Sequence, residues 1–375
     1  MRRRVRVGSV TIGGGAPVVV QSMTNLDPTD VAATVEQIRR LQAAGCELVR
    51  LAVPTPEAAA AIAAVKAEVT VPLVADIHYD HRLALSALEA GADKLRLNPG
   101  NINDPDKIRQ VATAARERGV PIRVGVNAGS VDPRFTSRGK ITASGLVDAA
   151  LCQVKILEEA KFHDIVVSIK AHEVPLTVEA NRLLAGQVDY PLHLGITESG
   201  PELSGIVRSA AGLGVLLSER IGDTIRVSLP GDPVSEVEAA WEILRSLELR
   251  ERGVSYVVCP TCGRTGVDIA GIAERVRREL TDIADPLRIA IMGCPVNGLG
   301  ESTRADFAIL GGRGQGTVYA HGTVVHPQVP ESQLAESLVE AVRSHFAQGL
   351  DNGHQEKRVE ARGHLRSTER GGAHA

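Results

Sequence analysis

The chain has 375 residues, 43% of them hydrophobic, and a formal charge of −3. That length exceeds an ordinary single domain, although one (β/α) barrel accounts for about 250 residues. Near-neutral charge and 2% aromatic content argue against nucleic acid or an anionic membrane as partner, because these need cationic or base-stacking surfaces.

The opening MRRRVRVGSV is cationic but lacks the apolar core of a signal peptide. No run reaches the roughly 18 apolar residues of a membrane span. Five cysteines without a paired framework suit a reducing cytoplasm, where close cysteine pairs more often mean metal or redox chemistry than disulfides. The glycines at 13–15 read as a turn between two short strands, since no loop-to-helix context for a phosphate site surrounds them.

Eight β-branched runs follow, at 18–23, 47–53, 72–78, 94–100, 121–127, 164–170, 191–198 and 224–232. Amphipathic stretches separate them. After the first run, Val31, Val35, Ile38 and Leu41 share a helical face, with Gly45 as the expected stop. After the fourth, Asp104 and Pro105 make an N-cap and first-turn pair, and Gly119 closes the helix. Alternating strands and helices imply parallel pairing, and eight such units predict an α/β fold with an N-terminal TIM-type (β/α)8 barrel over residues 1–250. A doubly wound open sheet is the competing layout.

Side chains two apart on a strand share a face. Asp76 and His78 are so related, as are Arg96 and Asn98, Ser168 and Lys170, and Arg226 and Ser228. Arg123 and Asn127 are four apart, and Arg50 closes the second run in the same manner. In such barrels the C-terminal strand tips carry the active site. One arginine there ordinarily pairs with a carboxylate, and a lone His78 or His193 is ordinarily a satisfied core histidine. Five cations at equivalent places, Arg50, Arg96, Arg123, Lys170 and Arg226, resist that account, with only Asp76, Glu198 and Asp232 to match them. The pattern predicts a phosphate-bearing substrate, whose oxygens fit guanidinium forks.

Beyond the helical stretch that starts at Asp232 the rhythm changes. A strand at 254–258, a C-x-x-C loop, a helix at 268–279, a strand at 287–292, a loop at Cys294, short strands at 306–310 and 317–325 and a closing helix predict a second α/β domain over 251–350. The GGRGQG at 311–316 reads as a hairpin loop. The tail, 351–375, lacks apolar periodicity and is expected to be disordered.

Cys46 and Cys152 fall in helical segments and read as small buried hydrophobes. Cys259, Cys262 and Cys294 instead follow β-like runs, beside Pro260, Pro295 and several glycines. A redox pair needs no third cysteine. Two metal readings stay open: structural zinc with His321 or His326 as fourth ligand, or a [4Fe–4S] cluster, which with three thiolates leaves one iron free for another ligand.

The segments CPTCGRT, MGCPVNGLGE, ADFAILGG, RLNPGN, RVGVNAGS and HLGITESG together resemble the bacterial 4-hydroxy-3-methylbut-2-enyl diphosphate synthases, iron–sulfur enzymes of the methylerythritol phosphate route to isoprenoids. The resemblance runs in order from about Val5 to Leu350. It implies a TIM-type barrel joined to a domain like those of sulfite and nitrite reductases. It further implies that Arg50, Arg96, Arg123, Asn127, Lys170, Arg226 and Ser228 bind 2-C-methyl-D-erythritol 2,4-cyclodiphosphate, with Asp76 and His78 orienting the site and Asn297 as a further contact. Cys259, Cys262, Cys294 and Glu301 then correspond to the ligands of a [4Fe–4S] cluster, and Glu198 to an acid near the substrate. Flavodoxin or ferredoxin is the implied electron donor, and a homodimer that shares its sites between subunits the implied assembly. The rival readings are a pteroate synthase-like phosphate-binding barrel with a structural zinc domain, and a non-catalytic iron–sulfur sensor, which would leave the cationic tips unexplained.

Overall fold

The computed structural model describes residues 2–347, so the tail from 351 lies outside the described residues. The described residues form two compact units, the first ending at Glu251 and the second beginning at Arg252.

The first unit opens with an antiparallel hairpin, β1 (Arg4–Val7) and β2 (Val10–Gly13). The glycine cluster ends β2 at Gly13 and continues into the turn at Gly14 and Gly15, all three at positive φ. Eight parallel strands then alternate with helices: β3 (Val19–Met23), α1 (Val31–Ala43), β4 (Leu48–Ala52), α2 (Pro56–Glu68), β5 (Leu73–Ile77), α3 (His81–Glu89), β6 (Lys94–Leu97), α4 (Pro105–Arg118), β7 (Ile122–Asn127), α5 (Ala143–Glu159), β8 (Ile165–Lys170), α6 (Val174–Ala185), β9 (His193–Leu194), α7 (Glu202–Ser218), β10 (Thr224–Ile225) and α8 (Pro233–Ser246). The sheet order is β8-β7-β6-β5-β4-β3-β10-β9. A single parallel bridge between Val167 and Leu192 joins its two ends, supported by a Val167 N–H to Pro191 carbonyl bond of 2.9 Å. This is a nearly closed barrel in strict chain order, as expected, and not an open doubly wound sheet. The last two strands are only two residues each.

Local chemistry sets the helix starts. Asp30, Thr55, Asp80, Asp104, Thr142 and Asp232 each accept a hydrogen bond from a backbone N–H of the helix they begin, satisfying donors that a helix N-terminus leaves unpaired. Gly119 stops α4 in the left-handed conformation. Cys46 is buried as expected, but Cys152 is exposed on α5: that helix buries Ala149, Ala150 and Gln153 instead.

Inside the barrel the strand alternation builds layers. The floor is apolar, with Val19, Leu48, Val74 and Val166 packed against Val5, Val7 and Ile12 of the hairpin. Two residues further along each strand the inward positions turn polar, and this reversal positions the site.

The second unit is a five-stranded sheet of order β11-β12-β13-β14-β15. Its elements are β11 (Val254–Val258), α9 (Ile269–Glu279), β12 (Leu287–Met292), α10 (Pro295–Arg304), β13 (Phe307–Gly312), β14 (Gln315–Ala320), β15 (Thr323–Pro330) and α11 (Glu331–Ala347). The first three strands are parallel and the last two antiparallel. Helices α9 and α11 cover the face carrying Ile289, Ile291 and Ile309. The opposite face carries Ala290, Met292 and Ala308. The β13–β14 turn is Arg313-Gly314, both at positive φ, the geometry of a tight hairpin.

Two expectations need correction here. The segment after Cys294 is a helix, α10, and not a loop. Pro295 starts it without loss, since proline suits the first helical turn, and its glycines permit close packing: a Cβ on Gly298 would lie 2.2 Å from Leu310 Cδ1. The stretch 317–325 is two strands, divided at His321-Gly322, both at positive φ. Among the described residues no helix is long and apolar enough to cross a membrane.

Candidate active site

The C-terminal ends of the barrel strands surround a cleft of about 270 Å³. Nine residues expected from strand alternation line it: Arg50, Asp76, His78, Arg96, Arg123, Asn127, Lys170, Arg226 and Ser228. Met23 and Thr197 complete the wall. Both sit one alternation step beyond inward residues, so the period-two rule applied to the first and seventh runs would have found them.

Asp76 is the anionic hub. Arg96 Nη1 donates to its Oδ1 at 3.0 Å, and Arg50 Nε and His78 Nε2 each lie 3.5 Å from its Oδ2. Burial alone would raise this carboxyl's pKa, but Arg50, His78 and Arg96 together hold it well below the usual range. Arg96 is further fixed by a 3.0 Å bond from Nη2 to the Gly125 carbonyl. It can approach because residue 125 is glycine: a Cβ there would lie 2.6 Å from Arg96 Nε.

A second hub is one that the sequence reading missed. Glu236, on α8 and 2% exposed, clamps Arg226 through Nε–Oε2 at 3.0 Å and Nη2–Oε1 at 2.8 Å. Its carboxylate also accepts from Ser22 Oγ at 2.8 Å and from the Leu229 N–H at 3.1 Å. The legible signal was a glutamate on a helical face otherwise made of Pro233, Val237 and Ala240. Asp232, by contrast, faces away from the cations. It caps α8 and pairs with Arg40 on the exposed outer side.

Arg123 and Lys170 carry the excess charge. Both are buried, at 1% and 5% exposure, and neither has an ion-pair partner among the described residues. Arg123 Nε is a buried donor with no hydrogen bond. Burial, then Arg123, Arg50, Arg226 and Arg96, push the Lys170 amine well below its usual pKa. Its Nζ would lie 2.5 Å from a Cβ on residue 195, so Gly195 is required for its placement. Buried cations without acids are costly unless an anion arrives to pair with them.

Glu198 does not line the cleft. It is exposed, at φ 54°, with a carboxylate oxygen 3.7 Å from the Cβ position of Gly129, just after β7. A non-glycine residue held there stores roughly 1–3 kcal/mol of strain.

In the second unit, Cys259 follows β11 and Cys294 follows β12, neighbouring parallel strands. The Cys259 N–H donates to the Ile291 carbonyl at 3.0 Å, and the Gly266 N–H to the Gly293 carbonyl at 3.2 Å, so the two cysteine-bearing loops are bonded side by side. The thiols are free, Cys262 exposed and the other two half-buried. A hydrogen bond from the Arg264 backbone lowers the Cys262 pKa, which favours thiolate. Glu301 is half-buried on α10, seven residues from Cys294 and so two turns along one helical face. Asn297 is exposed on the same helix. Among the described residues no three His, Cys, Asp or Glu side chains converge closely enough to hold a metal ion. The proposed zinc ligands lie elsewhere. His321 stacks on Phe307 and His345 at the sheet edge where β13 begins, opposite the cysteine loops. His326 sits on β15, three strands from β12.

Fold and site thus define an α/β barrel with a cation-lined mouth, followed in the chain by a cysteine-bearing α/β unit. The solved dihydropteroate synthase from Yersinia pestis shares the barrel fold, with a TM-score of 0.50 at 13% identity over 66% of this chain and 98% of that one. Residues 2–241 match the GcpE TIM-barrel domain and 255–344 the GcpE protein C-terminal domain. A 4-hydroxy-3-methylbut-2-en-1-yl diphosphate synthase (flavodoxin) from Geobacter sulfurreducens is 51% identical over 92% of this chain and 98% of its own. Its counterpart from Symbiobacterium thermophilum is 50% identical over 92% and 94%. The chain belongs to the 4-hydroxy-3-methylbut-2-en-1-yl diphosphate synthase family.

Proposed function

We propose that the barrel mouth holds the ring diphosphate of 2-C-methyl-D-erythritol 2,4-cyclodiphosphate while the chain converts it reductively to 4-hydroxy-3-methylbut-2-enyl diphosphate, the product in its relatives' name. The observation that supports this cleft as the place is its enclosed excess of cations over acids. The reaction breaks the bond between the tertiary carbon and its ring phosphate oxygen. It also expels the neighbouring hydroxyl as water, consuming two electrons and one proton. As the ring opens, the diphosphate gains a negative charge. Fixed guanidinium groups stabilise that added charge more than the ring itself, which is how binding becomes rate.

Roles divide by partner. Arg123 and Lys170, free of competing acids, take the phosphoryl oxygens. Arg50, Arg96 and Arg226 are aimed by Asp76 and Glu236, and Asn127 and Ser228 offer neutral hydrogen bonds. His78, beside Asp76, orients Arg96. Glu198, outside the cleft lining, is proposed as an acid that comes near the bound substrate.

Cys259, Cys262, Cys294 and Glu301 are the proposed ligands of a [4Fe–4S] cluster, which when bound supplies single electrons and an iron open to substrate oxygen. Three free thiols on neighbouring, hydrogen-bonded loops support that reading, and a carboxylate is a harder ligand that a soft iron site holds less firmly than a thiolate. Flavodoxin, which the relatives' name carries, is the proposed electron donor, with ferredoxin as the alternative carrier. We further infer a cytoplasmic homodimer in which one subunit's cysteine unit, with Asn297, closes its partner's barrel. Anaerobic turnover of the cyclodiphosphate with reduced flavodoxin tests the reading. Product should form, and Arg123→Met should lose most affinity for the substrate. Absence of product, or unaltered affinity in that variant, refutes it.

A further inference from the structure

One strand-alternation step below the cleft lies a buried polar layer to which the proposed reaction assigns no role. Lys94, on β6, is fully buried and reaches across the lumen to Gln21 on β3, Nζ to Oε1 at 3.3 Å. Among the described residues that neutral amide is its one hydrogen-bond partner, and the amide's own Nε2 has none. Facing Lys94 are Arg50 from β4 and Arg123 from β7, and His193 from β9; Ser168 on β8, two residues before Lys170, is buried with its hydroxyl unpaired among the described residues. The histidine bonds Thr224 Oγ1 through Nδ1 at 2.8 Å, and its Nε2 is unpaired. Among the described residues no acid pairs with Lys94: Asp76 is engaged by Arg50 and Arg96, and Glu236 by Arg226.

The enclosed charges do not balance without a ligand. Arg50, Lys94, Arg96, Arg123, Lys170 and Arg226 stand against Asp76 and Glu236. Arginine cannot shed its proton at ordinary pH, whereas a buried lysine readily does. Of the two amines, Lys170 lines the cleft and Lys94 lies beneath it.

We infer that Lys94 is a neutral amine in the empty barrel and takes up a proton when the polyanion occupies the cleft, so that substrate capture loads the barrel interior with a proton. The inference rests on the functional reading above, whose reaction consumes one proton to release the hydroxyl as water. Burial, then Arg123 and Arg50, hold the amine well below its usual pKa. An anion that neutralises those two guanidinium groups removes much of the repulsion. Lys94 is a positioning residue on this account: it touches no reacting atom.

The test is calorimetry of cyclodiphosphate binding to the full chain, anaerobically at pH 8, in Tris and in HEPES. Each phosphorus of this ligand carries one strongly acidic hydroxyl, so the ligand contributes no proton. The dependence of heat on buffer should report uptake of about one to two protons, falling by about one in Lys94→Met and Lys94→Gln. Two variants guard against misfolding of either. Lys94→Arg, which keeps a cation but cannot release it, should lose the uptake as well; a merely structural role would leave it intact. Buffer-independent heat, or uptake unchanged in the variants that bind, overturns the inference. No binding in any buffer overturns the functional reading, and the inference with it.

Discussion

Arg226 and Glu236 form a two-point clamp between strand β10's extension and helix α8, with bonds of 2.8 and 3.0 Å and the carboxylate buried. The clamp turns a helix into part of the site. It directs a guanidinium into the cleft and ties Ser22 and the Leu229 backbone to the same oxygens.

Glu236→Gln should therefore do more than remove a charge. Leaving a largely buried guanidinium without its partner costs on the order of 3 kcal/mol, read as a lower urea midpoint. The freed Arg226 should also raise KM more than it lowers kcat. A variant with unchanged stability and kinetics would show the clamp to be incidental.

Gly125→Ala isolates the aim of one arginine. The new methyl would sit 2.6 Å from Arg96 Nε, so the side chain must move while the strand stays paired. Affinity for the cyclodiphosphate should fall about tenfold or more, a loss of roughly 1.4 kcal/mol, with far-ultraviolet circular dichroism unaltered. Wild-type affinity would mean that Arg96 has slack.

The buried amine predicts a pH-dependent stability. Folding lowers the Lys94 pKa from an unfolded value near 10.4. Between the two values the unfolded chain binds more protons, so unfolding free energy from this group rises with pH and is complete only above about 10.4. Lys94→Met should accordingly be more stable than wild type near neutrality, by about 1–4 kcal/mol. That advantage should shrink towards pH 10. A pH-independent difference in urea unfolding would contradict this.

Cys294 and Glu301 should separate by severity. Cys294→Ser should lose iron and sulfide while the barrel stays folded. Glu301→Ala should keep much of the cluster and lose most turnover. A brown, fully active Cys294→Ser protein would end the ligand assignment.

Much of this was legible because strand periodicity is simple. Once Arg96, Arg123 and Lys170 were placed on strand ends, a parallel barrel brought them together. What escaped has physical reasons. Glu236 reaches the site from a helix, where one acid in an apolar stripe is a weak signal. Asp232 read as a site acid because it follows a strand, but a helix begins directly after it and needs a cap. Helix α10 was hidden by its glycines, which usually disfavour helix by about 1 kcal/mol each and here permit contact with Leu310. Glu198 and Asn297, inferred from resemblance, lie outside the cleft lining.

The most direct test of the central claim is electron paramagnetic resonance of the anaerobically reduced protein, with iron and sulfide quantified, before and after adding the cyclodiphosphate. About four irons and four sulfides per chain are expected, with a reduced-cluster signal that changes when substrate binds. Zinc without sulfide, or a signal indifferent to bound substrate, would contradict it.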